Sequence, residues 1–454
     1  MSALPPKRES FGSKFGVIAA AAGSAIGLGN IWRFPYVAGE NGGAAFIILY
    51  LAFVIAIGIP VMLSEFTIGR RAQQNVYGSF RKLAPNRPWY LIGIMGVVAA
   101  FMILAFYTAV AGWTLEYIYQ AITGGFNGKT PGELNNMFDS FTSGTSRPLI
   151  WFFVFMGLTA FIIMAGVKNG IEKSTKILMP LLLIILVILI VRSVTLPGAA
   201  KGISFLFKPD FSKIGASTVL EALGQAFFSL SIGMGTLVTY GSYIQKSDDL
   251  GSTAFSVAMT DTFIAIMAGL AIFPAVFAFD ITPGYGEGLV FVTLPNIFQQ
   301  MPGGTIFSIM FFLLLGVAAL TSTISVLEVI VAFFVEELKM KRKAATYLAT
   351  FSVSLLGIMC VLSTSSMADF KIFGFTVFGL MNFTTANILL PLGGLLIVIF
   401  VAWFFGRDKA KDELTNGGKL KALYLPVFMF IIKYVAPLAI AFVFLQGLGL
   451  INLK

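Results

Sequence analysis

Residues 23–35 decide the fold class, and they read Gly23-Ser24-Ala25-Ile26-Gly27-Leu28-Gly29-Asn30-Ile31-Trp32-Arg33-Phe34-Pro35. This segment belongs to an apolar run that is interrupted midway by glycine, serine and asparagine. Glycine costs roughly 1 kcal/mol against alanine in a helix, so three glycines within seven residues predict a broken helix. Backbone N–H and C=O groups without a helical hydrogen-bond partner are tolerated at membrane depth only where they line a cavity or are buried in protein. The segment therefore predicts a binding site as well as a break.

The composition is that of a polytopic membrane protein. Of the 454 residues, 57% are hydrophobic and only 11% are charged, which leaves too little polar surface to cover a soluble globule. Apolar runs of about 20 residues or more, long enough to cross the hydrocarbon core, recur along the chain. We predict an all-α protein with eleven transmembrane helices, at residues 15–36, 45–68, 90–122, 149–167, 171–194, 220–243, 253–279, 305–334, 344–362, 375–405 and 423–450.

The net charge of +10 is spread over short loops rather than gathered on one face, so it indicates topology and not nucleic-acid binding. The basic loops fall on one side, which predicts a cell-membrane protein with a cytoplasmic N-terminus and an extracellular C-terminus. The chain has no histidine and one cysteine, Cys360. An internal disulfide, thiolate or imidazole metal sites and histidine acid–base chemistry are excluded, so no enzyme is expected.

A second interrupted segment, Phe-Phe-Ser-Leu-Ser-Ile-Gly-Met-Gly at residues 227–235, lies five spans after the first. Broken helices in corresponding positions of two halves indicate a midplane site between inverted repeats. We therefore predict two inverted five-helix repeats, in which helices 1 and 6 are broken. The predicted parts are a cytoplasmic N-terminal latch at 1–14, a first repeat at 15–195, a second at 217–405 and an eleventh helix at 423–450.

Several motifs together carry a resemblance that spans most of the chain. They are Gly29-Asn30-Ile31-Trp32-Arg33-Phe34-Pro35-Tyr36, Glu40-Asn41-Gly42-Gly43, Gly58-Ile59-Pro60, Glu65 with Gly69-Arg70, Gly224-Gln225-Ala226-Phe227-Phe228-Ser229-Leu230-Ser231 and Leu320-Thr321-Ser322. In this order they resemble the neurotransmitter:sodium symporter family, and within it the eleven-span bacterial amino-acid transporters similar to the leucine transporter. Many relatives have a twelfth span, which is not seen here.

The resemblance implies how an amino acid is held. The amides of Leu28 and Gly29 and the Tyr107 hydroxyl are expected to bind its carboxylate, and the Ser231 hydroxyl with nearby carbonyls its ammonium. The residues implied to bind substrate are Ser24, Ala25, Gly27, Leu28, Gly29, Ile103, Tyr107, Phe228, Ser229, Ser231, Met234, Ser322 and Val326. The residues alone indicate only that broken helix ends bind charged groups.

Two sodium sites are implied in the same way. The first would comprise Ala25, Asn30, Ser229 and Asp261, and the second Gly23, Ile26, Ala318, Thr321 and Ser322. Two alternatives remain open: Thr321 and Ser322 are also typical of hydroxyls that bond to their own helix, and a one-residue slip would replace Asp261 by Thr260. An ionisable residue in a span is a functional hypothesis by default. Glu65 is expected to join the Asp261 network or to be structural.

The implied gates depart from the family pattern at two positions. Outside, Arg33 is expected to face Asn382 where relatives have an acidic residue, with Asp369 as the alternative partner and with Tyr107 and Phe228 as an aromatic lid. Inside, Phe11 stands where tryptophan is usual. The expected inner-gate residues are Arg8, Phe11, Ser242, Tyr243 and Glu336.

The resulting prediction is a sodium-coupled importer of large aliphatic or aromatic L-amino acids that works by alternating access. We expect two sodium ions, no chloride requirement because Asp261 supplies a fixed negative charge, contact with membrane lipid and a monomer sufficient for transport. The alternative within the family is a symporter of another small zwitterion or an organic amine, although the neutral Gly27 favours amino acids. A channel and a membrane enzyme are the rival classes.

Overall fold

The computed structural model describes residues 8–279, 286 and 288–451, so residues 1–7 of the predicted latch lie outside the described part. The described chain is helical, with loops and one isolated β-bridge between Ile372 and Phe375. In chain order the α-helices are α1 (Lys14–Ala25), α2 (Gly29–Glu40), α3 (Ala44–Ala72), α4 (Val76–Leu83), α5 (Tyr90–Ile122), α6 (Pro131–Thr142), α7 (Ser146–Met164), α8 (Val167–Val194), α9 (Ala199–Phe207), α10 (Ala216–Ser229), α11 (Thr236–Gly241), α12 (Leu250–Ala278), α13 (Leu294–Gln300), α14 (Gly304–Glu337), α15 (Arg342–Leu362), α16 (Val377–Phe405), α17 (Arg407–Leu414) and α18 (Leu425–Gly447).

Nine of the helices in the described residues are long and apolar enough to cross a membrane, and the bent pair α1 and α2 makes a tenth. The predicted sixth span corresponds to α10 and α11. Each of these helices is too short to count as a span by itself, because the chain leaves the helical conformation between them. The structure is therefore an all-helical, multi-pass membrane protein, as predicted, with nine to ten spans recognised by length and composition.

The first break separates α1 from α2. Helix α1 ends at Ala25, Ile26 is extended with φ −73° and ψ 97°, and α2 continues from Gly29 at an angle of 56°. The Ile26 amide still donates to the Ala22 carbonyl at 2.7 Å, so the last turn of α1 is closed. The carbonyls beyond it are released from the helix and are free to take other partners.

The second break separates α10, which ends at Ser229, from α11, which begins at Thr236. Three residues between them have positive φ: Ser231 at 55°, Gly233 at 84° and Gly235 at 81°. Glycine adopts this left-handed region without steric cost, whereas serine does so at a cost. Two glycines in three residues thus explain why the helix stops here.

Packing places both breaks in the interior. Helix α1 packs against α8, α12 and α14, while α10 and α11 pack against α3. The most apolar window of α14 is 78% buried and that of α18 only 28%, so α14 is central and α18 peripheral. Backbones approach closely at Gly69, where a Cβ would lie 2.0 Å from the Val238 carbonyl oxygen. Small residues at such contacts are typical of membrane helix packing.

Candidate substrate and ion site

The two breaks face one cavity between α1, α5, the α10–α11 connection, α14 and α16. Its lining residues are Ser24, Ala25, Gly27, Gly29, Ile103, Leu104, Phe106, Tyr107, Phe228, Ser231, Met234, Ser322, Thr323, Val326, Asn382, Thr385, Ala386 and Leu390. Of the residues expected to bind substrate, only Leu28 and Ser229 are not in this lining. The structure therefore brings eleven of the thirteen expected residues together. It adds a wall from α16, of which the sequence analysis names only Asn382, as a gate residue.

Polar groups from both breaks and from Tyr107 of α5 meet at the cavity. The Leu28 amide donates to the Tyr107 hydroxyl at 2.9 Å, and the Ser231 hydroxyl donates to the Ser24 carbonyl at 3.1 Å. The Ser24 hydroxyl is buried and has no hydrogen-bond partner within the described chain. A buried hydroxyl without a partner is costly, which favours a polar ligand beside it.

Space for a ligand side chain depends on Gly27. A Cβ at this position would lie 2.6 Å from both the Ser322 hydroxyl and the Tyr107 hydroxyl. No larger residue fits without moving one of them. Most of the remaining wall is apolar, with Ile103, Met234 and Val326 all buried. Such a cavity suits a ligand that carries both an apolar group and polar groups.

A polar cluster lies next to this cavity and is centred on Asp261 of α12. The Asn30 amide donates to Asp261 Oδ1 at 2.8 Å, and the Ser229 hydroxyl donates to Asp261 Oδ2 at 2.6 Å. Asp261 is fully buried, and Thr260 instead bonds to the Ser256 carbonyl of its own helix. The slip to Thr260 is therefore wrong for this geometry. Oxygen ligands around a buried carboxylate suit a hard cation such as sodium.

Tyr50 is the member of this cluster that sequence reasoning missed. Its hydroxyl lies 3.2 Å from Ser229 Oγ and 3.3 Å from Asp261 Oδ2, so its one proton can be donated to either, and its side chain is fully buried. The available signal was a tyrosine within the apolar run of the second span. A buried tyrosine hydroxyl usually finds a partner, but the sequence does not show which one.

A second group of oxygens joins the first break to α14. The Thr321 and Ser322 hydroxyls each lie 3.5 Å from the Ile26 carbonyl oxygen, and Ser322 Oγ lies 3.3 Å from that of Ser24. Thr321 also donates to the Ala318 carbonyl at 3.0 Å, so it bonds to its own helix as the alternative reading allowed. The hydrogen bond within α14 does not exclude a cation, because a hydroxyl oxygen that donates its proton keeps lone pairs that a cation can use.

Glu65 does not join the Asp261 network. Its Oε1 accepts the Gly233 amide at 2.8 Å, while Oε2 has no hydrogen-bond partner within the described chain. No hydrogen bond joins its described side chain to Asp261, so the expectation of a shared network is wrong and the alternative of a structural role fits the contact. It holds the backbone of that break to α3.

A second cavity adjoins the first one and shares part of its lining. It is lined by Leu28, Gly29, Trp32, Arg33, Tyr36, Phe106, Tyr107, Val110, Phe228, Gly286, Phe378, Asn382, Ala386 and Asn387. Tyr107 and Phe228 line both cavities and so lie at the boundary between them. The Arg33 guanidinium lies over the Phe228 ring at 4.6 Å, and no hydrogen bond joins the described side chains of Arg33 and Asn382. Asp369 is exposed in a distant loop and does not line the cavity.

On the opposite side the expected inner-gate residues meet. Arg8 pairs with Glu336, donates to the Ser242 hydroxyl at 2.6 Å and lies 4.7 Å from the centroid of the Tyr243 ring. The Phe11 ring packs edge-on against Tyr243 at 5.9 Å. These contacts hold Arg8 and Phe11 against the end of α11 and against α14, while the second cavity lies beside Arg33.

Two broken helices that line one cavity, with clusters of oxygen atoms beside it, define a membrane transporter of the broken-helix class. The model of the Sodium:neurotransmitter symporter family matches residues 8–137 and 133–453. The chain belongs to this family, so it is a multi-pass membrane protein, and its named relatives are transporters and not enzymes.

Several relatives are similar over nearly their whole length. The uncharacterized sodium-dependent transporter YhdH of Bacillus subtilis (strain 168) is 39% identical over 98% of this chain and 99% of its own. A sodium-dependent transporter of Methanocaldococcus jannaschii is 32% identical over 91% of this chain and 86% of its own. The crystal structure of MhsT in complex with L-phenylalanine is similar with a TM-score of 0.88 and 46% identity, covering 97% of this chain and all of that one. The named relatives thus support sodium-dependent transport.

Proposed function

We propose that the chain is a sodium-coupled importer of large aliphatic or aromatic L-amino acids. The observation that carries this proposal is the cavity between the two breaks, whose lining combines polar groups from both breaks with the apolar side chains of Ile103, Met234 and Val326. Leu28, Gly29 and Tyr107 would hold the substrate carboxylate. The Ser231 hydroxyl and the carbonyls of Ala25, Phe228 and Ser229 would hold the ammonium. The similarity to MhsT, whose crystal structure contains L-phenylalanine, supports this substrate class.

Two sodium ions enter with the substrate in this proposal. The first would bind at Ala25, Asn30, Ser229 and Asp261, and the second between the first break and α14 at Gly23, Ile26, Ala318, Thr321 and Ser322. Each entering sodium gains roughly 2.3 kcal/mol per 100 mV and about 1.4 kcal/mol per tenfold gradient, so two ions supply about 7 kcal/mol. Sodium is coupled to substrate because both order the same backbone, and it favours the outward-facing state by its difference in affinity for the two states.

The Asp261 carboxylate makes chloride unnecessary in this mechanism. It provides a fixed negative charge inside the site, in contact with Asn30 and Ser229. A site that already carries this charge gains nothing from a bound anion, and like charges at short distance repel. Uptake is therefore expected to be the same in chloride and in gluconate.

The remaining architecture is proposed from the same resemblance. The N-terminus is cytoplasmic and the C-terminus extracellular, the inner gate around Arg8 opens as the outer gate around Arg33 closes, and α10 with α11 forms the sixth of eleven spans. The two five-helix halves are inverted repeats, α18 lies outside them, and one copy of the chain suffices for transport.

The decisive experiment measures uptake of radiolabelled L-phenylalanine, L-leucine, γ-aminobutyrate and serotonin into proteoliposomes that contain the purified chain. We expect uptake of the two amino acids with external sodium and none with potassium. Accumulation of γ-aminobutyrate or serotonin instead would establish the alternative substrate class. Equal uptake in sodium and potassium would refute coupling, and absence of counterflow would point to a channel.

A further inference from the structure

A lysine lies inside the membrane-spanning helix α18. Lys433 comes eight residues after Leu425, the first residue of the helix, so at 1.5 Å per residue it lies about 12 Å along the helix axis. Its ammonium forms neither an ion pair nor a hydrogen bond with any of the described residues. A charge without a partner is costly within a span, and ionisable residues at such positions indicate function.

Two aromatic rings flank the ammonium of Lys433. Its nitrogen lies 4.7 Å from the centroid of the Trp403 ring of α16 and 5.3 Å from that of Tyr434. Trp403 is 60% exposed and Tyr434 is 49% exposed, and neither lines the substrate cavity, so this group of three residues faces the outside of the bundle. The rings attract the cation but bring no negative charge to neutralise it.

The ammonium lies near the level of the lipid headgroups. Trp403 is two residues from the end of α16 at Phe405, and the polar helix α17 begins at Arg407. The Cα–Cβ bond of a helical residue tilts toward the helix N-terminus, so the Lys433 side chain is directed toward the end of α18 that follows α17. Tryptophan and tyrosine are enriched at the membrane interface, and lysine side chains within spans extend to it.

This end of the bundle is the one that carries the Arg8–Glu336 pair. Arg70 of α3 donates to Glu413 of α17 at 2.6 Å, and the Asn75 amide a few residues later donates to Glu336 at 2.7 Å. In the proposed orientation it is the cytoplasmic end. The cytoplasmic leaflet carries anionic lipids, which attract lysine and arginine side chains near its surface.

We propose that Lys433, Trp403 and Tyr434 form a binding site for an anionic phospholipid, in which Lys433 pairs with the headgroup phosphate. The phosphate supplies the charged partner that the protein does not provide, and the two rings pack against the glycerol and the start of the acyl chains. A zwitterionic lipid binds less well, because its own ammonium competes for the phosphate. One lysine near an anionic surface gains about fivefold in affinity, and we expect a preference of that size.

The test measures which lipid lies beside Trp403. The full chain is reconstituted in vesicles of equal parts phosphatidylglycerol and phosphatidylcholine, with brominated acyl chains on one lipid or on the other. Bromine quenches tryptophan fluorescence at short range. Because the chain has five tryptophans, the emission of Trp403 is taken as the difference between each protein and its Trp403→Phe counterpart. Quenching should indicate that phosphatidylglycerol is enriched about fivefold beside Trp403.

Matched variants separate a site from general attraction to positive charge. Lys433→Gln should abolish the enrichment, and Lys433→Arg should keep it. Lys409→Gln removes an exposed cation at the same end of the bundle, whose nitrogen lies 5.9 Å from the centroid of the buried Phe405 ring, and it should keep the enrichment. Excess inorganic phosphate in the buffer should leave the enrichment unchanged, and its loss would show that the site takes free phosphate and not lipid.

Two results overturn the inference. Equal quenching by the two brominated lipids in the unaltered chain would show that there is no preference, and this measurement requires no variant at position 433. An equal loss of enrichment in Lys433→Gln and Lys409→Gln would show that the overall charge attracts the lipid. The outcome does not depend on the proposed function, because lipid contact is measured without transport.

Discussion

Replacing Asp261 by asparagine tests the assignment of the first sodium site. The change keeps the size of the side chain and removes its charge, at a position that is fully buried and contacts Asn30, Ser229 and Tyr50. The carboxylate accepts two short hydrogen bonds, at 2.8 Å and 2.6 Å, and hydrogen bonds to charged groups contribute about 1.5–3 kcal/mol each. Removing the charge weakens the attraction for a bound cation more than it weakens the hydrogen bonds from these neutral donors, because a buried site has a low effective dielectric constant.

We expect Asp261→Asn to weaken sodium binding by about 2–3 kcal/mol, which raises the sodium concentration for half-maximal uptake by roughly 30- to 150-fold. The assay is L-phenylalanine uptake into proteoliposomes as a function of external sodium, with sodium replaced by choline. Binding of the amino acid at saturating sodium should be much less affected, since its own contacts are made at the two breaks.

Two controls separate the local charge from a general loss of charge. Asp369→Asn removes an exposed loop carboxylate and should leave sodium dependence unchanged. Glu65→Gln removes the charge of another buried carboxyl, which contacts Gly233 and not the Asp261 cluster. Any change in uptake that it causes should not be a selective loss of sodium affinity. If Asp261→Asn kept the sodium dependence of the unaltered chain, Asp261 would not be a ligand and our account of chloride independence would fail with it.

Three other changes probe the cavity and its gates. Gly27→Ala puts a Cβ 2.6 Å from two hydroxyl oxygens, and overpacking of about 1–3 kcal/mol should raise KM for L-phenylalanine about 5- to 150-fold in uptake assays. Tyr107→Phe removes the acceptor of the Leu28 amide and one donor to the substrate carboxylate, which should weaken phenylalanine binding about tenfold in a binding assay, with sodium dependence retained. Arg8→Ala removes the partner of Glu336 and should shift the protein towards inward-facing states, measured as faster labelling of inner-side cysteines.

These three predictions have their own controls. For the first, Gly157→Ala adds a Cβ where no atom lies within 4 Å, so uptake should not change. For the second, a loss of sodium affinity as large as that of substrate would contradict the assignment of Tyr107. For the third, the reporter cysteines are introduced into a Cys360→Ala variant, which removes the native cysteine. Arg81→Ala breaks the ion pair between Arg81 and Glu337, and it should leave the labelling rate of this background variant unchanged. Melting temperatures should fall little for Arg8→Ala, because partly exposed pairs contribute only about 0–1 kcal/mol.

The sequence by itself determined the membrane class, the two breaks and most of the residues around them. These features are local: glycine and serine within an apolar run weaken a helix wherever that run is placed, and an acidic residue such as Asp261 inside a span indicates function without reference to a partner. The resemblance to the family then indicated which of these residues are expected to bind substrate. For this reason eleven of the thirteen residues expected at the substrate are found in one cavity wall.

Only the tertiary structure decided which distant groups meet. Tyr50 joins Asp261 across more than two hundred residues, Glu65 turns to Gly233 rather than to the ion cluster, and Lys433 meets Trp403. Each of these contacts depends on the relative rotation and depth of two helices, which packing of the whole bundle sets. A change of one residue in register would point the same side chains elsewhere, so no local pattern in the sequence records them.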